Sequence, residues 1–253
     1  MCLILFAYKK HPTYKLIVAA NRDEFYQRPT APAHFWEDAT QILAGRDLEK
    51  MGTWMGVTKE GRFSALTNYR NPGEIVEGMK SRGELVSGAL QFRGSLRTYM
   101  EALTTQDSLY PGYNLLSGDQ NELYYYSNRG MNLTVISPGI YGVSNHLLDS
   151  DWPKVKRGKE ALEKMITTKE EIVVEELFSL LTNSEQAPDE YLPKTGVSLE
   201  MERMLSPLFI KSKGYGTRSS TVLLMSDDEI KYMERSFTSD GKKSEKEFTI
   251  LID

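Results

Sequence analysis

The stretch CLILFAYKKHPTYKLIVAANRDE, residues 2–24, decides the fold prediction for this chain. Residues 2–8 and 15–20 are apolar and rich in β-branched and aromatic side chains, and residues 11–13 form a short break between them. Two such runs around a break that contains proline are typical of a β-hairpin. The sequence therefore predicts two paired, largely buried strands in this region.

The single cysteine of the chain, Cys2, follows Met1 and opens the first of these strands. If Met1 is removed, Cys2 carries both a thiol and a free α-amine, which titrates near pH ~8 and is suited to accept the thiol proton. A lone cysteine in an apolar strand is also often a small buried hydrophobe. The position of Cys2 therefore leaves two interpretations open, a nucleophile and a core residue.

The composition is that of an ordinary globular protein. Hydrophobic residues make up 40% and charged residues 26% of the 253 residues, and the net charge is −4. The basic excess typical of nucleic-acid-binding proteins is missing, and no stretch approaches the ~18 apolar residues that span a bilayer. We therefore predict no nucleic-acid partner and no membrane span.

The expected location is the cytoplasm. The apolar run at residues 2–8 lacks the preceding basic segment of an export signal. One cysteine allows no intramolecular disulfide, which is typical of proteins in a reducing compartment. The sequence leaves the oligomeric state open.

The hydrophobic periodicity predicts runs of strands interrupted by helices. We expect a single domain over residues 1–253, of the α+β class, built as a four-layer αββα sandwich of two antiparallel sheets flanked by helices. The loosest segment is residues 184–199, and residues 214–217 read as a turn. Further strands are predicted at residues 41–44, 54–58, 62–68, 113–117, 122–127, 133–137, 139–144, 220–226, 229–237 and 246–252, and helices at residues 81–104, 152–165 and 169–181.

A set of short motifs follows one another over most of the chain. They are Asn21-Arg22-Asp23-Glu24, Gly45-Arg46-Asp47, Gly52-Thr53-Trp54, Leu66-Thr67-Asn68-Tyr69-Arg70, Ser81-Arg82-Gly83, Tyr141-Gly142-Val143-Ser144-Asn145 and Gly216-Thr217-Arg218-Ser219-Ser220-Thr221. This set resembles the NRDE family, the homologues of transport and Golgi organisation 2. The resemblance is specific, and the chain is identified as a member of that family.

More distantly, the chain resembles the choloylglycine hydrolase and penicillin V acylase branch of the N-terminal-nucleophile hydrolases. Those enzymes also begin Met-Cys, and their second strand ends in an Arg-Asn-x-Asp motif. This resemblance implies that Asp23 takes the place of the catalytic aspartate and that Ala20 stands where those enzymes have arginine. Arg22 lies one or two positions away, and a slip of one residue would place its side chain on the other face of the strand.

The resemblance also implies a set of site residues. Asn68 and Asn145 would hold the substrate or the oxyanion, and Arg218 matches a late arginine. The residues alone also fit another reading, in which both asparagines bond local backbone and the charged residues form a structural ion-pair network. The predicted catalytic residues are Cys2, Asp23, Asn68, Asn145 and Arg218, and the predicted substrate-binding or supporting residues are Asn21, Arg22, Glu24, Arg46, Tyr69 and Arg82.

Two functions follow as hypotheses. In the first, Cys2 attacks a non-peptide amide or a thioester of a small molecule, as in a hydrolase of carbon–nitrogen bonds or an acyltransferase. In the second, the chain is a non-catalytic carrier for a ligand such as haem or acyl-coenzyme A. No metal and no other cofactor is predicted, because His11, His34 and His146 lack the spacing of metal ligands.

Overall fold

The computed structural model describes residues 2–168 and 171–252, and the following elements lie in that part of the chain. The strands are β1 (Cys2–Tyr8), β2 (Leu16–Phe25), β3 (Thr30–Phe35), β4 (Ile42–Asp47), β5 (Met55–Thr58), β6 (Phe63–Asn68), β7 (Tyr113–Gly118), β8 (Leu123–Ser127), β9 (Thr134–Val135), β10 (Gly139–Val143), β11 (Tyr215–Met225), β12 (Glu229–Thr238) and β13 (Gly241–Leu251). The α-helices are α1 (Gly83–Gln91), α2 (Leu96–Leu103), α3 (Pro153–Thr168), α4 (Val174–Leu181) and α5 (Leu199–Leu205).

The strands form two antiparallel sheets. The six-stranded sheet has the order β10-β1-β2-β11-β12-β13, and the seven-stranded sheet has the order β3-β4-β5-β6-β7-β8-β9. The predicted N-terminal hairpin is present as β1 and β2, in which Cys2 pairs with Arg22 and Tyr8 with Leu16. The first strand of the chain therefore lies inside the six-stranded sheet, with β10 on its other side.

The alternation of side chains along β1 explains the layers, because successive residues of a strand face opposite sides of the sheet. Ile4 and Phe6 belong to the core between the two sheets, whereas Leu3 and Leu5 pack against the α3 and α4 side. A third core lies between the seven-stranded sheet and the helices α1 and α2. The α+β fold and its αββα layers are confirmed.

The strand β2 is longer than predicted. The prediction ends at residue 20, but β2 continues to Phe25, so the motif at residues 21–24 lies inside the strand. β11 pairs with all four motif residues and β1 pairs with Asn21 and Arg22, so the pairing with neighbouring strands holds these polar residues in an extended conformation.

The single helix predicted at residues 81–104 is wrong, because the structure has two helices there. α1 ends before Phe92, whose backbone is extended with φ −66° and ψ 126°. α2 then begins with its own cap, in which the side chain of Ser95 accepts a hydrogen bond from the Thr98 amide at 3.2 Å.

Other differences lie at edges and in loops. The edge strand β3 escaped prediction because it contains Pro32 and a bulge, and α5 begins at the end of the segment that reads as loosest. β11 begins at Tyr215, inside the predicted turn. β9 keeps only two residues of a predicted strand. The predicted helix at residues 169–181 begins outside the described residues, and α4 occupies its later part. No helix in the described ranges is long and apolar enough to cross a membrane.

Candidate functional site

A cavity of about 770 Å³ opens beside Cys2. Its walls come from both sheets, from residues 76–82 and from the first turn of α1. Eight of the eleven residues predicted for the site contribute to the lining, namely Cys2, Arg22, Asp23, Glu24, Arg46, Asn68, Arg82 and Arg218. The tertiary structure therefore brings together residues that are as much as 216 positions apart in the chain, from Cys2 to Arg218.

The register of the six-stranded sheet places one row of side chains along the cavity. Cys2 pairs with Arg22, Arg22 with Ser219, Ser219 with Ser236, and Ser236 with Ser244. Residues paired directly across strands share a face, and all five contribute to the lining. Arg22 therefore faces the same side as Cys2. Ala20 lies two residues before Arg22 on the same strand, so it shares that face too.

A β-bulge in β11 shapes the site at Arg218. The register with β2 shifts between Thr217 and Ser219, so Arg218 is the extra residue. Its Nη1 donates to the backbone carbonyls of Phe25, Tyr26 and Arg28 at 2.8, 3.0 and 3.1 Å. Arg218 thus fastens the connection between β2 and β3 along the cavity wall.

Asp23 follows Arg22 in β2, so its side chain points to the opposite face of the strand. It is buried, and its Oδ1 accepts a hydrogen bond from Thr217 Oγ1 at 2.7 Å. Burial raises the pKa of the Asp23 carboxyl, while the charge of Lys154, the Thr217 hydrogen bond and Arg22 oppose that shift. A buried carboxyl group thus lies on the other face of the sheet, close enough to Cys2 to influence the pKa of its thiol.

The Cys2 thiol is only 6% exposed. Burial raises its pKa above the ordinary value, the charge of Asp23 raises it further, and Arg22 lowers it. Ser144 directly follows the neighbouring strand β10, and its Oγ donates a hydrogen bond to the backbone carbonyl of Cys2 at 2.9 Å. The thiol is therefore protonated at neutral pH and needs a base before it can act as a nucleophile.

Asn68 and Asn145 occupy different positions. Asn68 ends β6 and lines the cavity. Asn145 is fully buried outside the lining, and its Nδ2 donates to the Asn68 carbonyl at 2.9 Å. Asn145 supports the backbone of Asn68 in this arrangement, and a direct contact with a ligand stays a prediction.

Asn21 and Tyr69 also lie outside the lining. The Nδ2 of Asn21 donates to the carbonyls of Leu181 and Leu208 at 2.9 and 2.8 Å, and these bonds tie the helical layer to β2. The Tyr69 ring packs on the His146 ring with centroids 5.1 Å apart. Both residues are supporting in position, away from the cavity.

The charged residues of the lining have different partners. Arg46 forms two hydrogen bonds with the Asp38 carboxylate, at 2.5 and 2.7 Å. Glu24 lies 3.8 Å from Arg22. Arg82 donates from Nη1 to the Gly112 carbonyl at 3.0 Å, and burial lowers its pKa. The sequence allowed either a functional site or a structural ion-pair network. The structure combines the two, because the ion pairs hold the fold together and also line the cavity.

Gly52 keeps the cavity wall together by a backbone contact. A Cβ added at Gly52 would lie 2.6 Å from the carbonyl carbon of Gly83 and 2.8 Å from its oxygen. The motifs around Gly52 and Arg82 therefore meet backbone to backbone at the start of α1, and only glycine allows this approach.

We expect Gly52→Ala to destabilise the protein by about 1–3 kcal/mol, because the added methyl group must push the segment around Arg82 away from the loop before β5. Urea unfolding checks this value. Gly73→Ala is the matched control, since the nearest atom to a Cβ at Gly73 is 3.9 Å away. Equal stabilities of the two variants would contradict the role given to this contact.

The sequence prediction missed two buried charged residues near the site. Lys154, near the start of α3, is 2% exposed, and its Nζ has no hydrogen-bond partner in the described part of the chain. Burial lowers its pKa to about 8, and Asp23 is the largest charge opposing this shift. No sequence signal marks it, because a lysine in a first helical turn is normally exposed.

Glu234 is the second buried charged residue that the sequence prediction missed. It follows Ile230 and Tyr232 at every second position of β12, so it continues the face that those residues bury between the sheets. This alternation is a signal that would have found it. Burial raises the pKa of Glu234 to about 7.

The described ranges contain no group of three or more histidine, cysteine, aspartate or glutamate residues that could hold a metal ion. Comparison with known proteins then fixes the family. The family described as Transport and Golgi organisation 2 matches residues 1–239. The chain belongs to this family. The human transport and Golgi organization protein 2 homolog is similar over 258 residues at 36% identity, covering 93% of each chain.

Two solved structures share the fold of this member of the Transport and Golgi organisation 2 family. One is an N-acylethanolamine-hydrolyzing acid amidase ortholog from Caenorhabditis elegans, with TM-score 0.53, 8% identity and coverage of 88% of this chain and 92% of the other. The other is the C2A mutant of the conjugated bile acid hydrolase from Clostridium perfringens, with TM-score 0.54, 12% identity and coverage of 98% and 96%. At such low identity the comparison shows the fold alone, which is that of N-terminal-nucleophile hydrolases.

Proposed function

We propose that this protein is an N-terminal-nucleophile hydrolase or acyltransferase that acts on a non-peptide amide or a thioester through Cys2. The observation that carries the proposal is the position of the only cysteine, at a cavity of about 770 Å³ and directly across from Arg22. The two fold neighbours are an amidase and a conjugated bile acid hydrolase, and amide hydrolysis by both supports the proposal.

The buried thiol needs a base, since burial raises its pKa. We assign this role to the α-amine of Cys2 after removal of Met1, because that amine titrates near pH ~8 and lies in the same residue. The thiol proton passes to the amine as Sγ attacks the carbonyl carbon, and then to the leaving nitrogen or sulfur. Asp23, behind the Cys2 strand, stabilises the protonated amine by its charge.

The tetrahedral oxyanion needs donors within the cavity. The side-chain amide of Asn68 is the assigned donor, and Asn145 holds the Asn68 carbonyl at 2.9 Å. Arg22, across from Cys2, adds a positive charge on the same face. Loss of one such donor typically lowers the rate by about 10² to 10³. The acyl group then leaves Cys2 for water or for another acceptor.

The test is a panel of small amides and thioesters followed by intact-mass measurement. We expect at least one substrate to add its acyl group to the Cys2 thiol, and hydroxylamine to remove that group, because hydroxylamine cleaves a thioester but not an amide. Prior treatment with iodoacetamide is expected to abolish both the adduct and the turnover. Turnover by fully alkylated protein would sink the proposed mechanism.

The second candidate function is that of a non-catalytic carrier for haem or acyl-coenzyme A. One observation favours it, since Arg82 lines the cavity without an ion pair to any described carboxylate and could bind an anionic ligand. Micromolar binding of either ligand, unchanged after Cys2 is blocked, is its expected result. Absence of such binding would count against it.

A further inference from the structure

Glu234 is a buried carboxyl group whose two oxygens have different surroundings. It is 2% exposed, and its Oε1 accepts a hydrogen bond from the Ala33 amide at 2.8 Å. Ala33 lies where the β3–β4 register shifts between Ala31 and His34, and this bulge explains why its amide is directed away from the ladder. One oxygen of Glu234 therefore joins the two sheets.

The other oxygen lies toward the cavity. Glu234 and Gly45 both line the cavity, and a Cβ added at Gly45 would lie 3.6 Å from Glu234 Oε2. Within the described residues, no cation lies at ion-pair distance from Glu234 and no donor bonds its Oε2. A buried carboxylate oxygen without a protein partner costs free energy, and a ligand donor removes that cost.

Glu234 lies far from the thiol within the same cavity. The strands β2 and β11 separate β1 from β12. Glu234 pairs with Thr221, and both lie two residues along their strands from Ser236 and Ser219, which belong to the row that contains Cys2. Three strand spacings span about 14 Å and two residues along a strand about 7 Å, which gives a diagonal of about 16 Å. Between them lie the side chains of Arg22, Ser219 and Ser236, which are polar.

We propose that Glu234 binds a hydrogen-bond donor group of the ligand, an ammonium or a hydroxyl group, about 16 Å from Cys2. The ligand class is thus an elongated polar acyl compound that carries such a donor at one end. This inference rests on the proposed function only in taking the cavity beside Cys2 as the ligand site.

Affinity labelling of the single cysteine tests the proposal without any turnover. The probes are chloroacetamides whose nitrogen carries a spacer that ends in an ammonium, a hydroxyl or a methyl group. Each is made with a short spacer and with a long one that matches the distance of about 16 Å. The alkylation rate of Cys2 is followed by mass spectrometry at pH 8, where Glu234 is largely ionised because its pKa is about 7.

We expect at least one of the long donor-ended probes to label Cys2 about ten-fold faster than the long methyl-ended probe. In Glu234→Gln the advantage disappears, because the amide oxygen keeps the Ala33 bond and the amide nitrogen then faces the cavity as a donor. The variant Glu229→Gln, on the same strand but outside the lining, keeps the advantage.

Comparison of the ammonium-ended and hydroxyl-ended probes shows which kind of ligand Glu234 prefers. A faster ammonium probe identifies a cationic ligand, and a faster hydroxyl probe identifies a neutral one. Equal rates of the methyl-ended and donor-ended probes with the unmodified protein would overturn the proposal, even if Glu234→Gln does not fold. An advantage that persists in a folded Glu234→Gln variant would overturn it too. If the donor-ended probes label Cys2 faster but no amide or thioester is hydrolysed, Glu234 is still a binding residue, and only the proposed reaction is contradicted.

Discussion

Replacement of Cys2 by alanine is expected to lower turnover of any amide or thioester substrate by at least about a thousand-fold, because no other residue supplies the attacking thiolate. The acyl adduct should disappear together with turnover. Affinity for the same substrate should change little, since the thiol occupies a small part of a cavity of about 770 Å³. Steady-state kinetics and equilibrium binding of the variant measure these two effects separately.

The control for this substitution is Cys2→Ser, which keeps the shape of the side chain in the buried strand. We expect it to unfold in urea within about 1 kcal/mol of the unmodified protein and to lose most of the turnover, because a serine hydroxyl is a weaker nucleophile than a thiol. Undiminished turnover in Cys2→Ala would show that the reaction does not pass through Cys2. Unchanged binding, together with no turnover by the unmodified protein or by either variant, would favour the carrier.

Replacement of Lys154 by methionine is expected to stabilise the fold by about 3 kcal/mol at pH 7. The pKa of Lys154 falls from 10.5 to about 8 on folding, and a shift of one unit corresponds to about 1.4 kcal/mol. The unfolded chain binds this proton more tightly than the folded chain, so the cost is fully present below pH 8. It vanishes as the pH rises from about 8 to 10.5, and the gain from Lys154→Met should shrink over that window.

Urea unfolding at pH 7 and at pH 10 measures this effect, and Lys156→Met is the matched control because Lys156 is exposed on the same helix. A loss of stability at pH 7 in Lys154→Met would contradict the charge cost assigned to this lysine. Under the proposed mechanism the same change lowers turnover. Without the Lys154 charge the pKa of Asp23 rises further, and a protonated Asp23 no longer stabilises the amine.

Periodicity predicted the layers of this fold, but it did not predict where elements end. The helix at residues 81–104 has a continuous apolar face in the sequence, yet the Ser95 cap starts a second helix. The strand β3 was missed because proline and a bulge remove the regular alternation. Conversely, the strands β1, β8 and β12 combine apolar alternation with buried runs, and their prediction came within one residue of the structure at either end.

In the candidate site too, the sequence predicted some features and only the structure decided others. The motifs identified Cys2, Asp23 and Asn68 through the resemblance to a family, but the resemblance left the face of Arg22 open. The register of β1 and β2 decides it, since Cys2 pairs with Arg22. Asn145 and Asn68 look alike as strand-end asparagines, and only the hydrogen bond between them separates a lining residue from a supporting one.

The sequence by itself determined the hairpin of β1 and β2, the two antiparallel sheets and the family, because these depend on local periodicity and on short motifs. The tertiary structure alone decided which charges share the cavity. Arg218 reaches the wall through a bulge, Lys154 is buried behind Asp23, and Glu234 lies across the cavity from Cys2. These positions follow from the pairing and packing of segments distant in the chain, which leave no pattern within any one of them.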